Sequence, residues 1–373
     1  MRIGILGAGQ LGRMLALAGY PLGLQFRFWQ DSEEPPEQTL AECVCGPFED
    51  GDLLHRFVTS VKVVTYETEN VPVALTQQLS RTVAVHPSPR ALEAAQDRLN
   101  EKTLFQKLGI PVPAFAPVQS AAELHQAVER IGLPAVLKTR RFGYDGKGQS
   151  VLRGAEHVEL VGRLSDRISV PRLLEQFIPF ERELSILAVR GRDKQIVFYP
   201  LVENRHHEGI LRQSRAPAPG CTPALQSLAE GYARRILEAV DYVGVLAVEF
   251  FEYQGQLLAN EMAPRVHNSG HWTIEGAQTS QFANHLRAIV GLPLGSTALR
   301  GHSVMLNLIG EVPPLEVLLR IPGVNVHLYD KHPRRGRKLG HLTVTEADEE
   351  SLQKKLALLR GRSDLPGLWL ENL

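Results

Sequence analysis

Leu246-Ala247-Val248-Glu249-Phe250-Phe251 and Leu257-Leu258-Ala259-Asn260-Glu261-Met262 decide the fold. Both runs are apolar, and Gln254-Gly255 lies between them, so they read as two strands of one hairpin. A three-residue loop, Gln254 to Gln256, places Glu249 directly opposite Glu261. Like charges facing each other across a sheet destabilise it. The pair therefore needs a proton, a basic neighbour or a divalent cation. Immediately downstream, Pro264-Arg265-Val266-His267-Asn268-Ser269-Gly270-His271 is dense in polar and cationic groups. Carboxylates holding Mg²⁺ beside an anion-binding loop are what phosphoryl transfer requires. The plainer alternative is two strand glutamates facing solvent.

Upstream, Pro134-Ala135-Val136-Leu137-Lys138 reads as a buried strand ending in a lysine. Arg140-Arg141-Phe142-Gly143-Tyr144-Asp145-Gly146-Lys147-Gly148-Gln149 follows, before a further strand at Ser150-Val151-Leu152. Gly143, Gly146 and Gly148 let a hairpin tip fold its N–H groups over phosphates, and Lys147 adds charge. A flexible basic turn is the plainer reading of this segment. Residues 172–178 form a strand, and the next starts at Glu181 with the acid Glu183 near its beginning. His206 and His207 point opposite ways on an extended chain, which argues against a shared metal. A helix from Leu225 to Val240 leads into the glutamate hairpin.

Nearer the N-terminus, residues 2–7 form a short strand, followed by Gly7-x-Gly9-x-x-Gly12 and a helical run from Leu11 to Leu17. Strands Gln25–Trp29 and Val61–Tyr66 end near Asp31 and in Glu67-Thr68-Glu69-Asn70. This alternation predicts a parallel α/β sheet over roughly the first 95 residues. The glycines match a dinucleotide fingerprint, with Asp31 near the expected distance. Their physics is general, namely backbone approach to a phosphate at a helix N-terminus. NAD is thus one reading and any phosphorylated ligand another. A charged helix over Ala94–Lys102 continues to Gly109-Ile110-Pro111-Val112-Pro113, which ends it, and a helix spans Ala121–Ile131. Beyond Gly291-Leu292-Pro293-Leu294-Gly295, short strands recur at Ser303–Leu308, Val324–Leu328 and Gly340–Val344. A basic turn, Tyr329 to Lys338, joins the last two; such charge runs are often merely solvated.

The totals limit the function. At 373 residues the chain suggests two or three domains. Lys+Arg and Asp+Glu both number 41, so no bulk field draws nucleic acid or an anionic membrane. Basic clusters then read as sites for small anions. Cys43, Cys45 and Cys221 are no disulfide framework, and the Cys43-x-Cys45 pair has no zinc-site companion. The opening apolar stretch is broken by Gly7, Gly9, Gln10 and Arg13, so neither a signal peptide nor a membrane span is expected, and a cytoplasmic protein is.

Taken in order, these segments resemble the ATP-grasp superfamily over almost the whole chain. Three strings resemble the 5-(carboxyamino)imidazole ribonucleotide synthases within it: Gly9-Gln10-Leu11-Gly12-Arg13-Met14, Gly143 to Gln149, and Ala263-Pro264-Arg265-Val266-His267-Asn268-Ser269-Gly270-His271-Trp272-Thr273. The basic turn ending Gly336-Arg337-Lys338-x-Gly340-His341 also fits.

The resemblance implies an α/β and α+β multidomain chain. An N-terminal parallel α/β domain would span 1–97 and an ATP-grasp domain 98–295, with a mobile subdomain at about 115–178. A small β-rich C-terminal domain would span 296–373. It also implies ATP, Mg²⁺, bicarbonate and 5-aminoimidazole ribonucleotide as ligands, and ATP-dependent carboxylation as the activity. Arg98 and Lys138 would contact ATP, and Tyr144, Asp145, Gly146, Lys147, Gly148 and Gln149 would close over the triphosphate. Glu175, Gln176, Phe177 and Ile178 would lie along the adenine, Glu183 on the ribose, and His206 near the nucleotide. Glu249 and Glu261 would hold the metal, with Asn260 close by. Arg265, His267 and Asn268 would position bicarbonate and the amine, whose proton Asp145 or His267 would take. Gln10, Leu11, Glu67, Lys331 and Arg337 would hold the ribonucleotide, the last two on its phosphate. Ala263 stands where many superfamily members have Asn, so a further metal ligand must come from water or phosphate. Phe142 stands where a glycine is expected. Rival readings are a formate-dependent phosphoribosylglycinamide formyltransferase, a nicotinamide oxidoreductase, and an ATP-binding regulatory subunit without turnover. A homodimer is expected from the apolar N-terminal helices.

Overall fold

Three sheets organise the chain. The computed structural model describes all residues except 35, 37–39, 144–147, 166–169, 361, 363–364 and 370–373. The first sheet is the expected parallel one. Strands β1 (Arg2–Leu6), β2 (Gln25–Gln30), β3 (Glu42–Cys45), β4 (Val61–Tyr66) and β5 (Ala84–Val85) lie in the order 3-2-1-4-5, all pairs parallel. Ile3, Ile5, Leu6, Phe28 and Trp29 are buried, as strands covered on both faces require. The order reverses between β1 and β4. The loops leaving their C-terminal ends, Gly7–Gly12 and Glu67–Asn70, meet at this switch point, where open α/β sheets bind ligands. Edge strand β3 carries Cys43 and Cys45 as free thiols.

The second sheet is antiparallel and runs Phe115–Val118, Arg172–Gln176, Ala135–Thr139, Gln149–Leu152. It has its own small core, including Val118, Leu124, Leu137, Leu152 and Leu174. The third sheet holds nine strands. Its path is Gln256–Ala263, Gly244–Tyr253, Arg182–Arg190, Val202–His207, Ile210–Ala216, His302–Ile309, Lys338–Glu346, Val324–Leu328, with Ile196–Phe198 paired onto Arg182–Arg190. Pairing of Gln213–Ala216 with Ser303–Leu306 carries this sheet across the expected 295/296 boundary. The basic turn and the paired glutamates thus hang on one framework. A shared core that includes Leu15, Phe26, Trp272, Phe282 and Leu286 fixes the parallel sheet against it.

Two local expectations need correction. The hairpin turn holds two residues, not three: Tyr253 pairs with Gln256 around Gln254 (φ 51°) and Gly255 (φ 71°). Positive φ at both positions is what a turn matching the strand twist demands. That turn alone would set Glu249 opposite Asn260. An irregularity between Glu249 and Phe250 makes Asn260 an extra residue, so Glu249 again pairs with Glu261. The second correction concerns the charged helix at 94–102, which is broken at Asp97 into Pro89–Gln96 and Arg98–Lys107. Asp97 is extended and caps the second helix by accepting from Leu99 N at 3.0 Å. Its carboxylate also receives Arg140 through Nε at 2.9 Å and Nη2 at 2.8 Å. This bidentate pair ties the helix start to the end of the lysine strand.

Candidate active site

The glycine loop is already filled. Glu67, at the end of β4, accepts through Oε1 from Gly9 N and through Oε2 from Gly12 N at 2.6 Å. Helix Gln10–Gly19 has no side-chain cap of its own, so this carboxylate takes the place that a phosphate would occupy in a dinucleotide site. The glycines make room for it: a Cβ at Gly7 would sit 2.5 Å from Glu67 Cγ, and one at Gly9 2.8 Å from Oε1. The fingerprint therefore serves an internal carboxylate, and the nicotinamide reading loses its anchor. Burial raises the Glu67 pKa, against the pull of the two amides, Lys331 and Arg265. Lys331 donates to Gln10 Oε1, bringing the C-terminal basic turn onto this loop. A cavity of about 530 Å³ there is lined by Gly9, Glu67, Tyr329, Lys331 and Arg337, among others.

A second cavity, about 330 Å³, gathers most of the expected nucleotide residues. Arg98, Lys138, Gln149, Glu175, Gln176, Phe177, Ile178, Glu183, His206, Glu249, Asn260 and Glu261 all line it. His206 Nδ1 lies 2.6 Å from Glu183 Oε2, and Phe180 stacks on Phe251 at 4.7 Å to form an apolar wall. Gly148 (φ 75°) does not line the cavity; a Cβ there would lie 2.6 Å from Thr139 Oγ1. Phe142, where a glycine was expected, has φ 61°, a left-handed conformation that side chains rarely adopt. Tyr144, Asp145, Gly146 and Lys147 lie outside the described residues.

Helix Arg98–Lys107 aims three charges at the glutamate hairpin. Arg98, Glu101 and Lys102 share one face by their i, i+3, i+4 spacing. Arg98 Nη1 lies 2.7 Å from Glu261 Oε2, Glu101 Oε1 accepts from Met262 N at 2.6 Å, and Lys102 Nζ donates to Ala259 O at 3.1 Å. Sequence reasoning found Arg98 alone, although the same spacing could have shown the other two.

Across the hairpin the two glutamates are driven apart. Burial would raise Glu261, but the Arg98 guanidinium holds it at about 2. Burial and the Glu261 charge push Glu249 up to about 8, opposed by His206. Burial and Glu261 push Glu101 up to about 8 as well. Without metal, Arg98 and a proton thus serve the pair.

This sets a pH dependence. A carboxyl whose folded pKa is raised contributes stability that is present below its unfolded value and lost as pH rises through the folded value. The buried histidines His267 and His285, lowered to about 3, have finished contributing their opposite slope above pH 6.5. Between pH 6.5 and 8 the metal-free protein should therefore lose on the order of 1 kcal/mol per pH unit for each raised glutamate. Differential scanning calorimetry should show Tm falling over this window, and Glu249→Gln should flatten the fall. A flat wild-type profile would show that Glu249 is ionised without metal.

A further cavity, about 380 Å³, is lined by Gln10, Leu11, Glu67, Glu69, Ala263 and Arg265, among others. Arg98, Glu261, His267, Asn268 and Lys338 line both this cavity and the nucleotide-like one. Arg265 is held through Nε by Glu69 of the parallel-sheet loop, a partner that sequence reasoning passed over. Asn268, in the short turn Asn268–Gly270, bonds Asn307 of the strand His302–Ile309, Nδ2 to Oδ1 at 3.2 Å. His267 Nδ1 accepts from Ser269 N at 3.3 Å, which leaves its proton on Nε2, 3.5 Å from Glu249 Oε1. Burial and Arg265 keep this imidazole neutral, its pKa lowered to about 3. Lys338, quoted in the basic turn but given no role, is the cation that the C-terminal strands bring to this shared wall.

Comparison with known proteins agrees with this geometry. The ATP-grasp domain model matches residues 103–282, the ribonucleotide synthetase preATP-grasp domain matches 1–96, and the phosphoribosylaminoimidazole carboxylase C-terminal domain matches 303–355. The chain is 52% identical over 357 residues to the N5-carboxyaminoimidazole ribonucleotide synthase of Pseudomonas aeruginosa, covering 96% of this chain and 98% of that one. The crystal structure of the synthetase from Thermus thermophilus matches with a TM-score of 0.91 at 55% identity, over 98% of this chain and 99% of that one. The Aspergillus clavatus synthase in complex with ADP and 5-aminoimidazole ribonucleotide matches with a TM-score of 0.87 at 31% identity, over 96% and 97%.

Proposed function

The chain belongs to the N5-carboxyaminoimidazole ribonucleotide synthase family of ATP-grasp enzymes, and from that premise we propose how its adjoining cavities divide the reaction. The enzyme carboxylates 5-aminoimidazole ribonucleotide with bicarbonate and ATP, giving N5-carboxyaminoimidazole ribonucleotide, ADP and phosphate. One observation carries the division of labour: Arg98, Glu261, His267, Asn268 and Lys338 wall both cavities. The two cavities adjoin along this wall, so an intermediate formed in one has a short path to the other.

ATP occupies the cavity of Lys138, Glu183 and His206, with its base along Gln176, Phe177 and Ile178 and its ribose on Glu183. Lys138 Nζ, which bonds Glu175 and Asn260 Oδ1 at 3.0 and 3.3 Å, turns to the phosphates. The hairpin pair fits Mg²⁺, because two opposed carboxylates are otherwise left to Arg98 and a proton. Among the described residues no set of three His, Cys, Asp or Glu is arranged to hold a metal, so the remaining ligands would be phosphate oxygens or water. Bound there, the ion would withdraw charge from the transferring phosphoryl group.

Bicarbonate oxygen attacks the γ-phosphorus, and ADP leaves with the electron pair. The carboxyphosphate formed breaks to CO₂ and phosphate beside Arg265, which Glu69 keeps in place. The exocyclic amine of the ribonucleotide then attacks CO₂ to form the N–C bond. His267, with its proton on Nε2, is set to donate rather than to accept at that nitrogen. The amine proton is therefore assigned to Asp145, which lies outside the described residues. The small sheet, with its separate core, would move as a unit in closing over the nucleotide. The formyltransferase alternative is not favoured by any of the three compared relatives. A cytoplasmic homodimer completes the reading, supported by Leu17, Tyr20 and Leu22, exposed at and just after the first helix.

Two experiments follow. Phosphate release from ATP in bicarbonate buffer should depend on added 5-aminoimidazole ribonucleotide; release independent of it would point to a simple ATPase. Lys331→Ala and Arg337→Ala should raise KM for the ribonucleotide about tenfold or more and leave KM for ATP nearly unchanged, since each removes charge-assisted bonds remote from the chemistry. A rise in the ATP KM instead would place the basic turn in the nucleotide site.

A further inference from the structure

Gln281 opens the helix Gln281–Val290, yet its side chain does not cap that helix. Ser280 does so, accepting from Ala283 N at 3.1 Å. The amide of Gln281 is fully buried and turned to the loop that follows the glutamate hairpin. Its Oε1 accepts from His267 N at 2.9 Å, and its Nε2 donates to His267 O at 2.6 Å. One side chain thus pairs with both backbone groups of one residue, as a residue of a neighbouring strand would. Gly270 leaves the space for it: a Cβ there would lie 2.7 Å from Gln281 Cδ.

The helix that carries this amide is tied to both large sheets. His285, one turn further on, accepts at Nδ1 from Val245 N at 3.1 Å, which leaves its proton on Nε2, 2.9 Å from Thr65 Oγ1. Val245 lies on the strand that carries Glu249, and Thr65 on the strand that leads to Glu67 and Glu69. Burial keeps the ring neutral, its pKa lowered to about 3. The helix therefore has a fixed place relative to the metal hairpin on one side and to Glu69, the partner of Arg265, on the other.

We propose that Gln281 is a positioning residue for the carboxyl-transfer half of the reaction: it clamps the backbone of His267 to this helix and so keeps the imidazole on the wall between the two cavities. A CO₂ molecule is captured by the amine only while the groups around it hold their places, and a displacement on the order of 1 Å can cost about a hundredfold in rate. With the clamp released, CO₂ escapes and takes up water to return as bicarbonate and a proton. Phosphate has by then been formed, so ATP is hydrolysed without product. The inference rests on the reading of His267 as part of the shared wall's chemistry.

The test measures phosphate and N5-carboxyaminoimidazole ribonucleotide in the same reaction, with full-length protein, ATP, Mg²⁺, bicarbonate and saturating 5-aminoimidazole ribonucleotide. Wild type should form the two in equal amounts. Gln281→Met keeps the length of the side chain and loses both bonds; it should release about tenfold more phosphate than carbamate, with the KM for ATP unchanged. A merely structural defect lowers the active fraction and reduces both products alike, leaving their ratio at the wild-type value. If the methionine variant does not fold, Gln281→Asn keeps the amide but is too short to reach both backbone groups, and it should show the same uncoupling. His267→Ala, run in parallel, should uncouple as well. Equal phosphate and carbamate from the Gln281 variants, beside an uncoupled His267→Ala, would overturn the positioning role. Equal amounts from His267→Ala would instead overturn the reading of His267 on which it rests.

Discussion

Glu261→Gln should lower kcat by about a hundredfold or more, the scale expected when one electrostatic stabiliser of a transition state is deleted. The structure explains why the loss should fall on turnover and not on the fold. Glu261 sits on the cavity wall with 39% of its side chain exposed, so its pairing with Arg98 is partly screened by solvent. Removing it should cost on the order of 1 kcal/mol. Glu249 alone cannot replace it, because the proposed metal site needs both opposed carboxylates of the hairpin and no other acid of the described residues pairs with them there. A second effect separates this account from a general loss of packing. With Glu261 neutralised, the repulsion that raises Glu249 is relieved, and the fall of Tm between pH 6.5 and 8 should become shallower. Near wild-type turnover in saturating Mg²⁺ would remove the metal assignment.

Lys138→Met should reduce kcat/KM for ATP by about a hundredfold or more and leave KM for the ribonucleotide close to its wild-type value. Lys138 ends the strand Ala135–Thr139, and its ammonium reaches Glu175 and Asn260 from opposite sides of the cavity. Its bond to Asn260 holds it beside the glutamate hairpin, within reach of the proposed phosphoryl-transfer site. Methionine keeps the length and apolar stem of the side chain, so the backbone of the strand has no reason to shift. Steady-state kinetics with each substrate varied in turn would show the split. Equal losses for both substrates would mean that Lys138 organises the wall between the cavities and does not serve ATP in particular.

Much of the architecture was readable because it rests on patterns with a short range. Alternating apolar strands and helices gave the parallel sheet, and a lysine strand beside paired-glutamate strands gave the outline of the nucleotide cavity. What escaped depends on contacts between distant segments. Nothing in Gly7-x-Gly9-x-x-Gly12 says that its amides bind Glu67, fifty-five residues beyond the last glycine. The hairpin pairing came out right for a wrong reason: a two-residue turn and an extra Asn260 shift the register in opposite senses and cancel. Asp97 looked like one more charge on a helix, because its partner Arg140 lies forty-three residues further along the chain. Lys102 and Glu101 were visible by spacing from Arg98, yet only burial shows that they act within the protein and not on its surface. The continuation of the nine-stranded sheet into the C-terminal strands, which delivers Lys338, had no local signal at all.

The claim at the centre is that the wall shared by the two cavities passes carbon from bicarbonate to the amine of the ribonucleotide. Its most direct test is a single reaction with ATP, Mg²⁺, ¹³C-bicarbonate and 5-aminoimidazole ribonucleotide, followed by NMR. The account predicts a new carbamate resonance on the substrate amine, formed in step with phosphate and requiring all four components. Phosphate release with no labelled carbamate, or product formation that needs formate in place of bicarbonate, would contradict it.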